Sequence, residues 1–359
     1  MASSNAHFLS SVINAMSDLV RVIDKKGDVK LANDAFLHNM GEYEGMECYK
    51  SAGLPGRCAE CISKKAFELN KATYGTRKIG KNIYSVTASP IRDEEGNAFA
   101  VIESFRDVTE EQKIKDRLLQ SNKKMQKDLD MARKLQHSLV KTDFSDIKEV
   151  KISAGFYPCE AVGGDIYGCI KNGNKLVAYV CDVSGHGVMP AIMAVFVSGL
   201  ITKICQDGET SPKKIFEYVC DEYRKLNVDD NVYVTAFAVC MDVRTGETVY
   251  SGAGISVLPL VWDEGELKKL ELPSNPISKW FDNPFFEERT INISQEGRLL
   301  LYTDGIEKLS ANKKKHQLFL DEFSKEKFDG REFLENIKSK FKNDKTDDLT
   351  MVVLDRKTV

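Results

Sequence analysis

The feature that most constrains this chain is the stretch from Gly163 to Gly187, which reads GGDIYGCIKNGNKLVAYVCDVSGHG. Asp165 follows a Gly-Gly pair, and glycine lets a backbone approach a neighbouring group closely. Asp182 ends the second of two short apolar runs, which we predict to pair as a hairpin. The glycine-containing turn at 184–187 then leads into an apolar helix that begins at Val188. The pattern therefore predicts a strand-end aspartate beside the N-terminus of a helix.

Two further acidic turns lie beside predicted strands later in the chain. Asp304 precedes a glycine, and Asp347 and Asp348 come directly before the last apolar run. Like charges about 4 Å apart repel by several kcal/mol in a partly buried site, so four converging carboxylates would need cations. Hard oxygen ligands favour Mg²⁺ or Mn²⁺, and two such ions could activate a water for attack on a phosphate. Each aspartate taken alone would be better explained as a turn residue or a helix cap.

Length and composition allow two domains in a cytoplasmic protein. The chain has 359 residues, of which 42% are hydrophobic, and a net charge of −3. This charge supplies neither a basic surface for nucleic acid nor an acidic tail. We expect the apolar stretches to fall well short of the roughly 20 residues of a membrane span, and the N-terminus has no signal-peptide pattern. Nine cysteines without paired spacing indicate a reducing compartment. We therefore expect no membrane or nucleic-acid partner.

A first domain is predicted over residues 8–109. Alternating apolar patterns predict four strands and one short helix capped by Asn33. The predicted strands are 19–24, 29–32, 83–90 and 98–105, and the helix runs to Met40. This order of elements, with the sequence DVTEE at 107–111, resembles a PAS sensory domain. The resemblance implies a module that senses a ligand or a partner, without naming either.

Three cysteines of this domain lie close together in the sequence ECYKSAGLPGRCAEC. They are Cys48, Cys58 and Cys61, and the last two form a C-x2-C pair. Such a set could hold zinc or an iron–sulfur centre, or could act as a redox pair. Only three thiols are present, so a metal would need a fourth ligand from elsewhere. The alternative is a loop whose cysteines are merely small and partly buried.

Residues 110–141 are charged, contain neither glycine nor proline, and are predicted to form one helix. Its apolar residues recur at spacings of three, four or seven, interrupted by Ser121. The stripe consists of Ile114, Leu118, Met125, Leu129, Ala132 and Leu139. Its irregular step favours a short dimeric coiled coil with a stutter, and a helix packed on its own domain is the alternative. We expect a homodimer, and we expect the register of this helix to control the Asp165 side of the site.

A second domain is predicted over residues 142–359, where strand-like and helical runs alternate. The predicted strands are 150–157, 176–181, 232–241, 248–250, 257–262, 298–302 and 349–354, and the helices are 188–205, 212–226 and 331–341. The motifs GGDIYG, CDVSGHG, LLLYTDGIE and DDLTMVV, in this order, resemble the metal-dependent serine/threonine phosphatases of the PPM (type 2C) class, and most closely its SpoIIE-like branch. The resemblance implies an α-β-β-α sandwich of two antiparallel sheets, so the chain as a whole is predicted to be α+β.

The resemblance also implies a site with two Mn²⁺ or Mg²⁺ ions. Asp182 would bridge both ions. Asp165 and the backbone carbonyl of Val183 would complete the ligands of one ion, and Asp304 and Asp347 would hold the other. This branch acts on phosphorylated anti-anti-sigma proteins, so the implied partner is a phosphorylated STAS-domain protein.

Two nearby residues belong to this site without binding an ion. Asp348 is expected to support the ligands without binding an ion, because the family's ligand is the first aspartate of the pair. His186 would either protonate the leaving serine oxygen or pack in its turn, and the sequence leaves both open.

The chain departs from the family pattern at three places, and other classes compete for its motifs. Gly168 stands where an aspartate is frequent, and 251–257 and 275–279 replace the usual Ala-Gly-His and Pro-Leu-Gly segments; all three bear on substrate docking. GGDIY lacks the Glu-Phe of diguanylate cyclases, and no Gly-rich ATP-binding motifs follow His137, which argues against a sensor kinase. The remaining alternative is a catalytically silent phosphatase fold that binds a phosphoprotein.

Overall fold

The structure, a computed structural model, describes residues 2–139, 144, 147–306, 313–341 and 347–356. The chain divides into two units, Met1–Lys124 and Met125–Val359. The helix predicted over 110–141 extends over Thr109–Leu139, so it begins in the first unit and ends in the second. The last two residues of the predicted helix lie outside the described residues.

The first unit is built on one antiparallel sheet. Its elements are α1 (Ala2–Asn14), β1 (Leu19–Asp24), β2 (Val29–Ala32), α2 (Asp34–Met40), α3 (Cys48–Ser51), α4 (Ile62–Leu69), β3 (Thr73–Ile79), β4 (Asn82–Arg92), β5 (Ala98–Asp107) and the start of α5 (Thr109–Leu139). The strand order is β2-β1-β5-β4-β3. Asn33 caps α2 as predicted, because its Oδ1 accepts from the Phe36 N–H at 2.9 Å. The predicted PAS-like arrangement of strands and small helices is therefore confirmed.

The second unit contains two antiparallel sheets with helices on their outer faces. Its elements are β6 (Lys151–Tyr157), β7 (Asp165–Asn172), β8 (Lys175–Val183), α6 (Val188–Gln206), α7 (Pro212–Arg224), β9 (Val234–Asp242), β10 (Glu247–Ala253), β11 (Leu260–Asp263), β12 (Glu266–Lys269), β13 (Glu288–Asn292), β14 (Arg298–Tyr302), α8 (Lys313–Phe323), α9 (Gly330–Phe341) and β15 (Leu349–Asp355). The two sheets have the orders β13-β10-β9-β8-β7 and β12-β11-β14-β15-β6. This is the predicted α-β-β-α sandwich, and the α+β class is confirmed.

The alternation of side chains along β14 shows why the second sheet has helices on one face and a sheet on the other. Leu299 and Leu301 belong to the core that β8 and β9 share. Leu300 and Tyr302 point to the opposite face, where they pack in a second core with Phe319 of α8. Successive side chains of a strand face opposite ways, so the apolar run Leu299–Tyr302 has apolar residues on both faces of the sheet. The other sheet covers one face and the helices cover the other.

The helix α6 corrects one expectation about membranes. Its 19 residues have a hydropathy of 2.0 and are long and apolar enough, by length and composition alone, to cross a membrane. The prediction that every apolar stretch falls well short of a span is therefore wrong for this helix. A core helix passes the same test, and α6 packs on β7 and β8 with Met193, Val197 and Ile201 buried.

The apolar stripe of α5 does not lie on a single buried face. Ile114, Leu118 and Met125 are about 60% exposed, at 62%, 61% and 62%. Leu129 and Ala132 are half-buried, and the most buried side chain of the helix is the polar Gln136. Gln136 is therefore buried within the second unit, whereas Leu139, like the first three residues of the stripe, is exposed, at 59%. Dimerisation through α5 stays a prediction.

Candidate active site

The hairpin of β7 and β8 places the first two predicted site residues opposite each other. The predicted pairing is confirmed, with Asp165 in register with Asp182. Directly opposed residues of an antiparallel pair have Cβ atoms about 4.5–5.5 Å apart, and like charges there are destabilising. The two carboxylates are therefore close neighbours whose repulsion must be offset.

Asp165 is held in a buried polar network. Its side chain is 1% exposed, and the Thr303 hydroxyl donates to its Oδ2 at 2.6 Å. The same Thr303 oxygen accepts the backbone N–H of Thr350 at 3.1 Å, which orients the hydroxyl. Burial and the charge of Asp182 raise the pKa of Asp165 well above its ordinary value, while the Thr303 hydrogen bond opposes the rise. A cation beside this pair would remove the penalty on its charged form.

The other predicted carboxylates reach the same region from the second sheet. Asp304 follows β14 and Asp347 precedes β15, and these strands are neighbours, with Tyr302 in register with Met351. Asp182, Asp304 and Asp347 line one cavity of about 510 Å³. The structure thus brings three of the predicted carboxylates to one cavity and places the fourth, Asp165, directly behind Asp182.

The donor set suits a hard, hydrated cation. Among the residues that the structure describes, no three histidine, cysteine, aspartate or glutamate side chains are arranged to hold a metal ion. Asp182, Asp304 and Asp347 nevertheless supply carboxylate oxygens to one cavity, where backbone carbonyls and water can complete the shell of an ion. Mg²⁺ tolerates such coordination because it gives up its water ligands reluctantly. The carboxylates therefore fit Mg²⁺ or Mn²⁺, which can keep water ligands, better than an ion whose ligands all come from the protein.

Asp348 fixes the loop between β6 and β7. It is buried, and its two carboxylate oxygens accept the backbone N–H groups of Cys159 at 2.8 Å and of Gly164 at 2.6 Å. A Cβ atom at Gly163 would collide with this carboxylate, and one at Gly305 would collide with the Asp348 carbonyl. The Gly-Gly pair was expected to let the backbone approach a bound group, and the close approach seen here is to Asp348. Asp348 therefore positions the chain that leads into Asp165.

His186 lies at the mouth of the cavity beside a residue that the sequence did not single out. The side chain of His186 is 75% exposed, and its Nδ1 lies 2.9 Å from Glu160 Oε1. Both residues line the cavity. Gly185 and Gly187 flank the histidine with φ of +95° and +96°, which only glycine adopts readily. One of the two interpretations of His186 required its ring to pack within the turn, and the exposed ring does not do so.

Gln136 is a second residue that the sequence reasoning missed. It is 4% exposed near the end of α5, and its side-chain amide makes two hydrogen bonds with one glycine. Nε2 donates to the Gly163 carbonyl at 2.7 Å, and Oε1 accepts the Gly163 N–H at 3.2 Å. The end of α5 is thereby joined to the backbone two residues before Asp165. No sequence signal identified it, because α5 contains three other glutamines.

The departures from the family pattern have structural explanations. Gly168 lies opposite Tyr179, and a Cβ at Gly168 would collide with the tyrosine ring, so an aspartate cannot occupy this position beside that tyrosine. Gly254 packs directly against Pro276, where a Cβ would also collide. The two other atypical segments therefore contact each other. All three departures leave the aspartates in place.

The two-sheet sandwich and the acidic cavity at the ends of its strands define a protein with the PPM phosphatase fold. The family model described as "Stage II sporulation protein E (SpoIIE)" matches residues 172–357, which is just over half of the chain. The chain therefore belongs to the SpoIIE family. A second model, described as "PAS fold", matches residues 13–113.

The chain is also similar to two other proteins. Phosphoserine phosphatase RsbP of Bacillus subtilis (strain 168) is 28% identical over 187 residues, which cover 50% of this chain and 45% of RsbP. The match thus spans less than half of that relative's length. The SiaA-PP2C domain of Pseudomonas aeruginosa has a TM-score of 0.57 at 19% identity, and the match covers 66% of this chain and 98% of that domain. At this level of identity the second likeness shows the fold alone.

Proposed function

We propose that this protein is a Mn²⁺- or Mg²⁺-dependent phosphatase that hydrolyses phosphoserine or phosphothreonine on a protein. The observation that carries the proposal is the position of Asp182. It lies opposite the buried Asp165 and lines the same cavity as Asp304 and Asp347. Asp182 thus lies between Asp165 on one side and Asp304 and Asp347 on the other, which is the position that a carboxylate bridging two ions would occupy.

The proposed ligands divide between the two sheets. Asp182 would bridge two ions, with Asp165 and the Val183 carbonyl on one side and Asp304 and Asp347 on the other. When bound, the ions would neutralise the phosphate and lower the pKa of a water, which would provide the nucleophile. Thr303 would hold the inner oxygen of Asp165 in place, and outer partners of this kind commonly tune ligands.

His186 is the proposed general acid. Because Glu160 engages Nδ1, the other ring nitrogen is available to protonate the leaving serine or threonine oxygen. The high exposure of His186 suits a group that meets a protein substrate at the rim of the cavity. Glu160 would orient the ring and is a positioning residue.

The proposed substrate is a phosphorylated STAS-domain anti-anti-sigma protein, which the resemblance to the SpoIIE-like branch implies. The cavity of about 510 Å³ is open and polar, which suits a phosphorylated side chain presented by a folded partner. We further propose that the PAS-like unit regulates the phosphatase in a cytoplasmic homodimer joined through the exposed apolar residues of α5. A protein that sediments as a monomer at micromolar concentration would contradict the dimer.

The test is hydrolysis by the full chain after metal removal, with a phosphorylated STAS-domain protein as substrate. We expect release of inorganic phosphate only when Mn²⁺ or Mg²⁺ is added back, and its loss with excess EDTA. Binding of the phosphoprotein without any release of phosphate, at any metal concentration, would instead support the silent binding module.

A further inference from the structure

The three cysteines of the PAS-like unit converge on one cavity that the proposed phosphatase chemistry does not use. Cys48, Cys58 and Cys61 all line a cavity of about 500 Å³. All three are half-buried, and none forms a disulfide. A thiolate at Cys58 or Cys61 would also raise the pKa of Cys48, which places the three sulfurs within electrostatic reach of each other. Three thiols that the sequence separates are therefore one cluster in space.

The cluster is not arranged as a metal site. All three cysteines are among the described residues, and the cavity that they line has no histidine and no fourth cysteine in its described lining. A tetrahedral zinc site would also need a fourth ligand. Of the interpretations that the sequence left open, the geometry points away from zinc and an iron–sulfur centre and towards thiol chemistry.

The surroundings distinguish the three thiols. Cys61 is the N-cap of α4, and its sulfur accepts the Lys64 N–H at 3.4 Å. A backbone donor at a helix N-terminus favours negative charge on the sulfur, and the thiolate is the attacking species in disulfide exchange. Burial, by contrast, raises the pKa of Cys48. Cys58 lies in the loop just before Cys61, where a short ring can close between them.

The cavity has room and charge for a small polar reagent. Its walls include cationic and anionic side chains around the sulfurs. The charged residues are Lys25, Lys26, Arg57, Lys64, Asp24, Glu47 and Glu68. A low-molecular-weight disulfide that carries both amino and carboxylate groups matches this mixture of charges.

We propose that Cys58 and Cys61 form a reversible thiol–disulfide couple that reacts with a low-molecular-weight disulfide. The Cys61 thiolate attacks one sulfur of the reagent, whose S–S bond breaks and releases one small thiolate. The Cys58 thiolate then attacks Cys61 Sγ in the mixed disulfide and releases the second. The protein loses two electrons and two protons, and the reagent gains both to give two small thiols.

Hydrogen bonds connect Cys61 and its neighbours to β5 and the start of α5, so disulfide formation would affect more than the cysteine loop. Ser63, two residues after Cys61, donates a hydrogen bond to Glu103 of β5, and Glu103 is also paired with the buried Arg21 at 2.6 Å. β5 ends at Asp107, whose carboxylate accepts the Thr109 N–H at 2.9 Å at the start of α5. A change at Cys61 therefore acts on the element that leads into α5.

The experiment equilibrates the full chain in buffers of graded reduced-to-oxidised glutathione ratio, blocks free thiols by alkylation, and maps the peptides by mass. We expect a Cys58–Cys61 disulfide that forms and disappears reversibly. Cys48→Ser, the matched control in the same cavity, should keep this disulfide. Cys58→Ser should instead trap a glutathione adduct on Cys61, because the resolving thiol is missing.

Three results would overturn the proposal. They are full alkylation of Cys58 and Cys61 at every ratio, loss of the disulfide in Cys48→Ser, and purification of the chain with stoichiometric zinc or iron that protects the thiols. None of these readouts depends on phosphatase activity, so the redox couple and the proposed function can fail separately.

Discussion

At the scale of single residues, the network around Asp165 determines how firmly the innermost carboxylate is held. Thr303 donates to Asp165 and accepts from Thr350, so one hydroxyl joins β7 to the neighbouring strands β14 and β15 of the second sheet. A buried carboxylate that loses its hydrogen-bond donor carries an uncompensated desolvation cost.

We predict that Thr303→Val lowers kcat/KM by about 10- to 100-fold and raises the Mn²⁺ concentration for half-maximal activity, the usual cost of losing an outer partner of a metal ligand. Thr303→Ser keeps the hydroxyl and should stay near the wild-type value. Steady-state assays across a Mn²⁺ titration measure both quantities. Equal Mn²⁺ dependence in the Val and Ser variants would show that the hydroxyl has no such role.

We predict that His186→Gln slows hydrolysis of a phosphoserine protein by about 100-fold, the lower range for a general acid. Hydrolysis of p-nitrophenyl phosphate should change little, because its leaving group needs no protonation. Rates on the two substrates, compared at the same Mn²⁺ concentration, provide the test. A similar loss on both substrates would point to a structural role for the ring instead.

The aspartates could be predicted from sequence, whereas their partners could not. Each aspartate stands in a motif with glycine or a second aspartate at a predicted strand end. Thr303 contacts a residue 138 positions away, and Gln136 contacts one 27 positions away. Single polar residues carry no periodicity, so only the fold shows which of them meet. Glu160 was missed for the same reason.

At the scale of elements, the start of α9 shows how a cap and an ion pair combine. Asp329 accepts the backbone N–H groups of Arg331 at 2.9 Å and Glu332 at 3.1 Å, and Lys151 Nζ of β6 lies 2.6 Å from its other oxygen. The Lys151 hydrogen bond, followed by the backbone donors, lowers the pKa of Asp329 to about 2.

We predict that Asp329→Ala lowers the free energy of unfolding at pH 7 by about 1 kcal/mol, the typical value of an N-cap. Because the folded-state pKa is below the unfolded one, this contribution is present above about pH 4 and is lost as the pH falls towards 2. Urea unfolding at several pH values measures it. A difference between wild type and variant that persists below pH 2 would contradict the capping role.

The helix α5 is the element through which the two units are covalently joined. Its end is attached to Gly163 by Gln136, two residues before Asp165. A sensor can control a site through a helix only if the helix has two arrangements that favour different catalytic states. The polar Ser121 and the irregular stripe make such alternatives in register available.

We predict that inserting one residue beside Ser121 changes both activity and Mn²⁺ dependence, because it rotates the two parts of α5 by about 100° relative to each other. A seven-residue insertion of the same composition is the matched control, since it restores the rotation to within about 20°. Gln136→Ala should weaken Mn²⁺ activation with α5 otherwise unchanged. If both insertions behave like wild type, α5 is an inert tether.

Strands with buried faces were predictable, whereas three of the edge strands were not. The runs that became β8, β9, β14 and β15 are apolar because both of their faces are covered. β3, β12 and β13 are at the edges of their sheets, and every side chain in them is half-buried or exposed. Their sequences therefore show little apolar pattern. The helix α8 was missed as well, because most of its apolar residues come after a basic N-terminal turn.

At the scale of the whole molecule, the sandwich could be predicted because four motifs, in their order along the chain, resemble those of the PPM phosphatases. The resemblance could not show which residues support the aspartates, because Thr303 and Gln136 meet their partners only in the fold. The two-metal site that the resemblance implies is the central claim to test.

The most direct measurement is inorganic phosphate release and bound Mn²⁺ in parallel titrations of wild type, Asp182→Ala and Asp221→Ala. Asp221 is the matched control, because it is an exposed carboxylate on α7, with 71% of its side chain accessible. We predict Mn²⁺-dependent turnover with two bound ions in wild type and Asp221→Ala, and loss of both turnover and ion binding in Asp182→Ala. Wild-type turnover by Asp182→Ala in excess Mn²⁺ would contradict the proposed two-metal phosphatase.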